Sequence, residues 1–267
     1  MSFTSLGGQR LHYVREGSGP TLLLLHGIGS NSRSFRHQLA DLSDGCLVVA
    51  WDMPGYGQSD DPPQPFSMAD LADAAASLLD DLGTPSAHVL GHSFGGVVAQ
   101  MLVHRHRDRV ASLVLADTNP GGGSLPEPER SARMRQRLDA IANQTPREIA
   151  EARAPALVSA AASPRLLAEL TDIMAEIRPG GYAAAAVALG TTDLTDRLAD
   201  VRVPTLVVCG ELDQVTPPDT SRLLAQRIPD ARLAIIPGAG HASNQERPAE
   251  FNSVVRAFLT SSARAVG

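Results

Sequence analysis

Residues 86–98 read Ser86-Ala87-His88-Val89-Leu90-Gly91-His92-Ser93-Phe94-Gly95-Gly96-Val97-Val98. This stretch decides the reading of the chain. A short apolar run suits a strand, a glycine-flanked serine suits a sharp turn, and the helical run VVAQMLVHRH follows. Gly91-His92-Ser93-Phe94-Gly95 fits G-x-S-x-G, a turn that lifts a serine hydroxyl clear of the backbone. Such a serine adopts strained dihedrals. Side chains at the flanking positions would collide with the neighbouring strand and helix, so Gly91 and Gly95 carry none. The helix beginning at Phe94 aims free N–H groups and a positive dipole end at any negative charge that develops there.

A serine hydroxyl is a weak nucleophile until a base holds it, so the rest of the chain is searched for its partners. Upstream, Thr21-Leu22-Leu23-Leu24-Leu25 is a continuous apolar run of the kind found in central parallel strands buried on both faces. It ends in His26-Gly27-Ile28-Gly29. The backbone N–H groups of Ile28 and Phe94 are the expected oxyanion hole. His26 reads as structural, holding its loop by hydrogen bonds. Downstream, Thr205-Leu206-Val207-Val208-Cys209 is a strand ending in Gly210-Glu211-Leu212-Asp213, which places Asp213 as the acid. Glu211 competes from two residues earlier. Arg232-Leu233-Ala234-Ile235-Ile236 is the last strand, and its loop Pro237-Gly238-Ala239-Gly240-His241 delivers the base. The candidate catalytic residues are therefore Ser93, Asp213 and His241, in that chain order. Asp117, which ends the strand Val110–Ala116, is a second candidate acid. His92, beside the serine, is a poor base because its side chain points away.

Other stretches read as scaffold. Asp52-Met53-Pro54-Gly55-Tyr56-Gly57-Gln58-Ser59 is a turn held by Asp52 side-chain bonds to backbone N–H groups. Ser67-Met68-Ala69-Asp70 resembles a capping box, and Met68, Leu71, Ala72, Ala75, Leu78, Leu79 and Leu82 then recur at helical spacing. Phe35, Leu39 and Leu42 mark the inner face of a helix within 30–42. His12 is expected on a surface strand. A closing helix begins near Pro248.

Composition narrows the function classes. The 267 residues suit one α/β domain with an insertion. A net charge of −6 argues against a nucleic-acid partner. All 23 basic residues are arginine, which excludes lysine-based catalysis and a Walker A loop. The two cysteines, Cys46 and Cys209, sit in apolar runs with no metal-binding spacing. No cofactor or metal is expected. The N-terminal residues contain no apolar stretch of signal-peptide length, and no run is long enough to cross a bilayer, so the expected location is cytoplasmic with no membrane partner. Composition shifts to Gly and Pro after residue 118, and 128–190 read as several short helices rich in Ala and Arg. The expected division is a core of 1–119 and 195–267 with a helical lid at 120–194. The eight arginines from Arg130 to Arg178 are expected mostly on solvated faces, with one or two turned inward toward a substrate carboxylate. The expected partner is a small molecule, and the chain is monomeric or homodimeric.

Taken together, HGIG, DMPGYGQS, GHSFGG, GELD and GAGH resemble the α/β-hydrolase fold superfamily over nearly the whole chain. The segment ARLAIIPGAGH and the run from Gly240 to Pro248 resemble its 3-oxoadipate enol-lactonase and small-esterase branch. The resemblance implies a mostly parallel eight-stranded sheet flanked by helices, with a lid inserted after the sixth strand. It also implies hydrolysis of a small carboxylic ester or lactone through an acyl-enzyme. Two alternatives stand beside it. One is C–C bond hydrolysis of ring-fission products by the same three residues, although this chain lacks the G-P-G turn after the oxyanion strand and the tryptophan after the histidine that such enzymes carry. The other is a ligand receptor on the same fold with little turnover.

Overall fold

The computed structural model describes residues 2–6, 8–63 and 66–266. Its eight strands are β1 (Ser2–Leu6), β2 (Gln9–Glu16), β3 (Thr21–Leu25), β4 (Leu47–Trp51), β5 (Ala87–His92), β6 (Val110–Ala116), β7 (Thr205–Gly210) and β8 (Arg232–Ile236). They form one sheet in the order β1-β2-β4-β3-β5-β6-β7-β8. β1–β2 and β2–β4 pair antiparallel, and every other pair is parallel. This is the expected mostly parallel, eight-stranded arrangement.

Successive strand residues point to opposite faces, and the two faces bury two separate cores. Leu23, Leu25, Val89, Leu113 and Leu115 face one side, where α2 (Met68–Asp81) and α3 (Phe94–Arg105) pack. Leu22, Leu24, Leu90, Val114 and Val208 face the other, where α1 (Arg36–Leu42) and the closing helix pack. Burial on both faces explains why β3 and β5 are buried along their whole length and do not alternate. The capping box at Ser67 and Asp70 forms as expected.

Between β6 and β7 the chain leaves the sheet and folds as α4 (Glu129–Asn143), α5 (Pro146–Arg153), α6 (Pro164–Met174) and α7 (Pro179–Thr191). After β7 come α8 (Pro218–Arg227), α9 (Ser243–Glu246) and α10 (Pro248–Val266). The insert is fastened at several places, Asn31 donating to Glu176 at one of them. Arg178 reaches the carbonyls of Gly57 and Ser59 and the Asp61 carboxylate. Glu246 accepts from the Gly240 and Ser159 N–H groups. Among the described residues no helix is long and apolar enough to cross a membrane.

His12 departs from expectation. It is buried, and its Nδ1 lies 2.8 Å from Asp52 Oδ2. β2 is an interior strand flanked by β1 and β4, and the Asp52–Ser59 turn folds over it, so alternation along β2 does not lead to solvent. Asp52 does hold that turn, accepting from the N–H groups of Ser32 and Gln58.

Candidate active site

β5 ends at His92, and the next residue turns sharply into α3. Ser93 takes φ 53°, ψ −118°, a left-handed conformation that costs a non-glycine residue on the order of 1–3 kcal/mol. The turn survives because its surroundings admit nothing larger. A Cβ added at Gly91 would strike the Gly95 carbonyl, and one at Gly95 would strike the carbonyl of Leu25 on β3. The Ser93 N–H is tied to the Ala116 carbonyl at 2.9 Å.

The loops after β7 and β8 bring the two other predicted residues to this serine. His241 Nε2 lies 2.9 Å from Ser93 Oγ, and its Nδ1 lies 2.9 Å from Asp213 Oδ2. Asp213 Oδ1 accepts from the N–H groups of Val215 and Thr216, and Oδ2 also accepts from the Thr216 hydroxyl. An ionised carboxylate only accepts, so Nδ1 of His241 carries a proton and Nε2 is free to take one from Ser93. Burial alone would raise the Asp213 pKa, but the hydrogen bond and charge of His241 and the Thr216 donors outweigh it and hold it below the usual range. Thr216, which sequence analysis did not single out, is thereby a second side-chain donor to Asp213.

The competing candidates sit elsewhere. Glu211 accepts from the Gly238 N–H and holds the histidine loop. His92 donates from Nε2 to the His241 carbonyl at 2.8 Å. Burial, and then the neighbouring His241, pull its pKa down to about 4, so it is neutral beside the base. His26 donates from Nδ1 to the Gly27 carbonyl and accepts from the Met53 N–H at Nε2, which is the loop-holding role expected of it. Asp117 does not reach His241. It accepts from the Gly210 N–H and pairs with the Ser243 hydroxyl at 2.5 Å.

Asp117, Cys209 and Asp213 are the one group among the described residues with metal-type ligand atoms close together, within 4.8 Å. The carboxylate oxygens of both aspartates are engaged by protein donors. Burial, and then Asp117, push the Cys209 thiol up to about 12, so it stays protonated. The donor set is that of a closed protein network, not of a metal site.

Above Ser93 lies a cavity of about 70 Å³. Gly27, Ile28 and Phe94 line one side, and among the described residues the N–H groups of Ile28 and Phe94 find no acceptor in the protein. Leu157, Leu170, Ile173, Met174 and Leu189 of the insert supply an apolar roof, and Arg133, Arg137 and Arg153 line it as well. Sequence reasoning had placed these arginines within a set of eight without separating them. The signal was present in their phase. On α4, Arg137 shares the half-buried stripe with Met134 and Ile141, and on α5, Arg153 stands one turn beyond buried Ile149.

Proteins of known name resemble this chain over nearly its whole length. A protein named for carbamate hydrolysis, RutD of Pseudomonas syringae pv. syringae, is 30% identical over 255 residues, covering 93% of this chain and 97% of its own. A thermophilic esterase from Thermogutta terrifontis, solved with malate bound, superposes with a TM-score of 0.90 at 30% identity, over 97% of each chain. The enol-lactonase from Burkholderia xenovorans LB400 superposes with a TM-score of 0.89 at 29% identity, over 97% of this chain and all of its own. A family model described as the alpha/beta hydrolase fold matches residues 20–248, and the chain belongs to that family.

Proposed function

We propose that this protein hydrolyses a small carboxylic ester or lactone, with Ser93 as nucleophile, His241 as general base and acid, and Asp213 as the group that orients and stabilises the charged histidine. The supporting observation is His241 bridging Ser93 Oγ and Asp213 Oδ2, each at 2.9 Å, at the floor of a cavity that also offers two free N–H groups. Ser93 Oγ attacks the substrate carbonyl carbon as its proton passes to His241 Nε2. The carbonyl oxygen becomes an oxyanion held by the N–H groups of Ile28 and Phe94. The C–O bond to the leaving group breaks, and the leaving oxygen takes the proton from His241. A water, deprotonated by His241, then releases the acid and restores Ser93. Neutral His92 spares the imidazolium a like charge beside it.

Helices α4 to α7 form the lid of this site and set its size. One water needs roughly 10–15 Å³ by the measure in which the cavity holds about 70 Å³, so the closed site takes a small molecule. The relatives' names span ester, enol-lactone and carbamate, which share one event, acyl transfer to water.

The test is a panel of p-nitrophenyl acetate, p-nitrophenyl pentanoate, an unsubstituted lactone, an enol-lactone and a ring-fission dienol, run on wild type and Ser93→Ala. Esters or lactones should be cleaved by the wild type, and Ser93→Ala should lose a factor on the order of 10⁴–10⁶ in kcat while keeping its circular dichroism spectrum. Consumption of the dienol alone would move the chemistry to C–C cleavage. A single burst without steady turnover would mark a receptor.

A further inference from the structure

Two cavities meet inside the insert, and two side chains stand between them. The cavity above Ser93 holds about 70 Å³, and a second of about 680 Å³ lies between α4 and α5, with Tyr182 of α7 at its wall. Their linings share Arg137 of α4 and Arg153 of α5 and no other residue. Each of these side chains therefore borders both spaces. Beyond them the second cavity is lined in part by Ala132, Ala140, Ile149 and Ala152, a surface that an apolar chain can cover.

Bulk is what these two arginines contribute to the wall. Arg133, which lines the first cavity alone, is tied to Glu129 at 2.8 Å. Among the described residues, Arg137 and Arg153 make no hydrogen bond or ion pair, and the Arg137 Nε–H is buried without an acceptor. Asp139 also lines the second cavity, and neither guanidinium pairs with it. Burial, and then the charge of Arg153, lower the Arg137 pKa, as expected of two cations near one another. A guanidinium remains charged under such a shift. Two like charges do not draw the helices together, so the gap between α4 and α5 is filled by the two side chains and is not closed by a bond.

We propose that Arg137 and Arg153 are the specificity-determining partition that limits the length of substrate chain the active site accepts, the second cavity being a continuation of the same cleft that they close off. The proposal rests on the reading of Ser93, His241 and Asp213 as a hydrolytic triad. A short chain ends before the partition. A long one must pass between two guanidinium groups, which lose water and gain no bond in return. Cutting both side chains back to alanine joins the two cavities. Each methylene then admitted to an apolar surface adds roughly fourfold to kcat/KM.

Two neutral ester series measure the limit. p-Nitrophenyl acetate and octanoate differ on the acyl side, and ethyl and octyl acetate differ on the alcohol side. Wild type should favour the short member of at least one series. In Arg137→Ala/Arg153→Ala the long-to-short ratio of kcat/KM in that series should rise about fiftyfold, the gain from three admitted methylenes. Arg137→Met/Arg153→Met keeps the bulk without the charge and should recover less than about a tenth of that gain. Adding Ala152→Trp to the alanine pair, at an exposed position that lines the second cavity and not the first, should cancel most of it. Ratios that the alanine pair leaves unchanged in both series overturn the proposal. So does a methionine pair that gains as much as the alanine pair, because charge and not bulk would then be the barrier, and so does a gain that Ala152→Trp leaves intact. Calorimetry with octanamide on Ser93→Ala, with and without the alanine pair, judges the partition without turnover. Binding at least about tenfold tighter with the pair supports it, and equal binding overturns it. If wild type cleaves no ester while that binding difference holds, the hydrolytic reading fails and the partition stands.

Discussion

Two regions meet across the cavity, and they are finished to different degrees. On the sheet side, every side-chain polar atom of Asp213 and His241 has a partner, and Ser93 is locked by a backbone that leaves no room for a Cβ at either flanking glycine. On the insert side, Arg137 and Tyr182 hold buried polar atoms with no partner. Ser93, His241 and Asp213 are thus held by protein donors and acceptors alone, whereas the guanidinium of Arg137 and the phenol of Tyr182 are not. The difference teaches which polar groups around the cavity the fold itself satisfies.

The largest effect that could break this comparison involves the two buried aspartates. Asp213→Asn should cost roughly 10⁴ in kcat, because the amide no longer fixes the tautomer in which His241 Nε2 is free. Asp117→Asn should leave kcat close to wild type, since Asp117 bonds Gly210 and Ser243 and not the base. Their stability profiles should also run in opposite senses. Burial, and then the charge of Asp213, raise the Asp117 pKa well above the ordinary value. A raised carboxyl costs stability as pH climbs past its unfolded value of about 3.9, so Asp117→Asn should gain on wild type as pH rises above that point. Asp213 is held low, so its contribution is present at neutral pH and is lost below about pH 4. The gap between wild type and Asp213→Asn should therefore close in acid. Urea midpoints from pH 3 to 8 measure both. Equal activity losses in the two variants would mean that Asp117 shares the acid's work.

Next in size is the fit of the turn. Gly95→Ala places a methyl group against the Leu25 carbonyl, a backbone atom that cannot swing aside. Overpacking of this kind typically costs about 1–3 kcal/mol, occasionally more. Here it also spreads β3 from α3 and displaces Ser93. Stability by denaturant melt and kcat should fall together. A variant with wild-type stability would show that the turn is looser than its contacts imply.

The sheet side was legible in the sequence because each of its demands leaves a local mark. A turn that excludes Cβ needs glycine, a strand buried on both faces needs continuous apolar residues, and an acid or base needs one residue type at a strand end. Asp213 and His241 lie more than a hundred residues beyond Ser93, yet each follows an apolar run that announces its strand. His12 was misread because alternation along a strand shows two faces without showing what covers them. The insert side was less legible for a related reason. An arginine on an Ala-rich helix looks the same whether it faces water or a cavity, and only its phase relative to Met134, Ile141 and Ile149 separates the two. Glu246, which ties the histidine loop to the insert, left no mark, since its partners at Gly240 and Ser159 are backbone N–H groups.

The smallest effect would sharpen the comparison most. Arg137 holds a buried Nε–H without an acceptor, so replacing it with an apolar side chain of similar reach should stabilise the protein. Arg137→Met should raise stability by about 1 kcal/mol, within the range seen when unfavourable buried charge is replaced by apolar groups. For a chain of this size that is a rise of roughly 2–4 °C in Tm. Thermal melts of both proteins measure the difference, and an Arg137→Met variant less stable than wild type would mean that Arg137 is part of the scaffold and that the two walls of the cavity do not differ in the way their hydrogen bonds indicate.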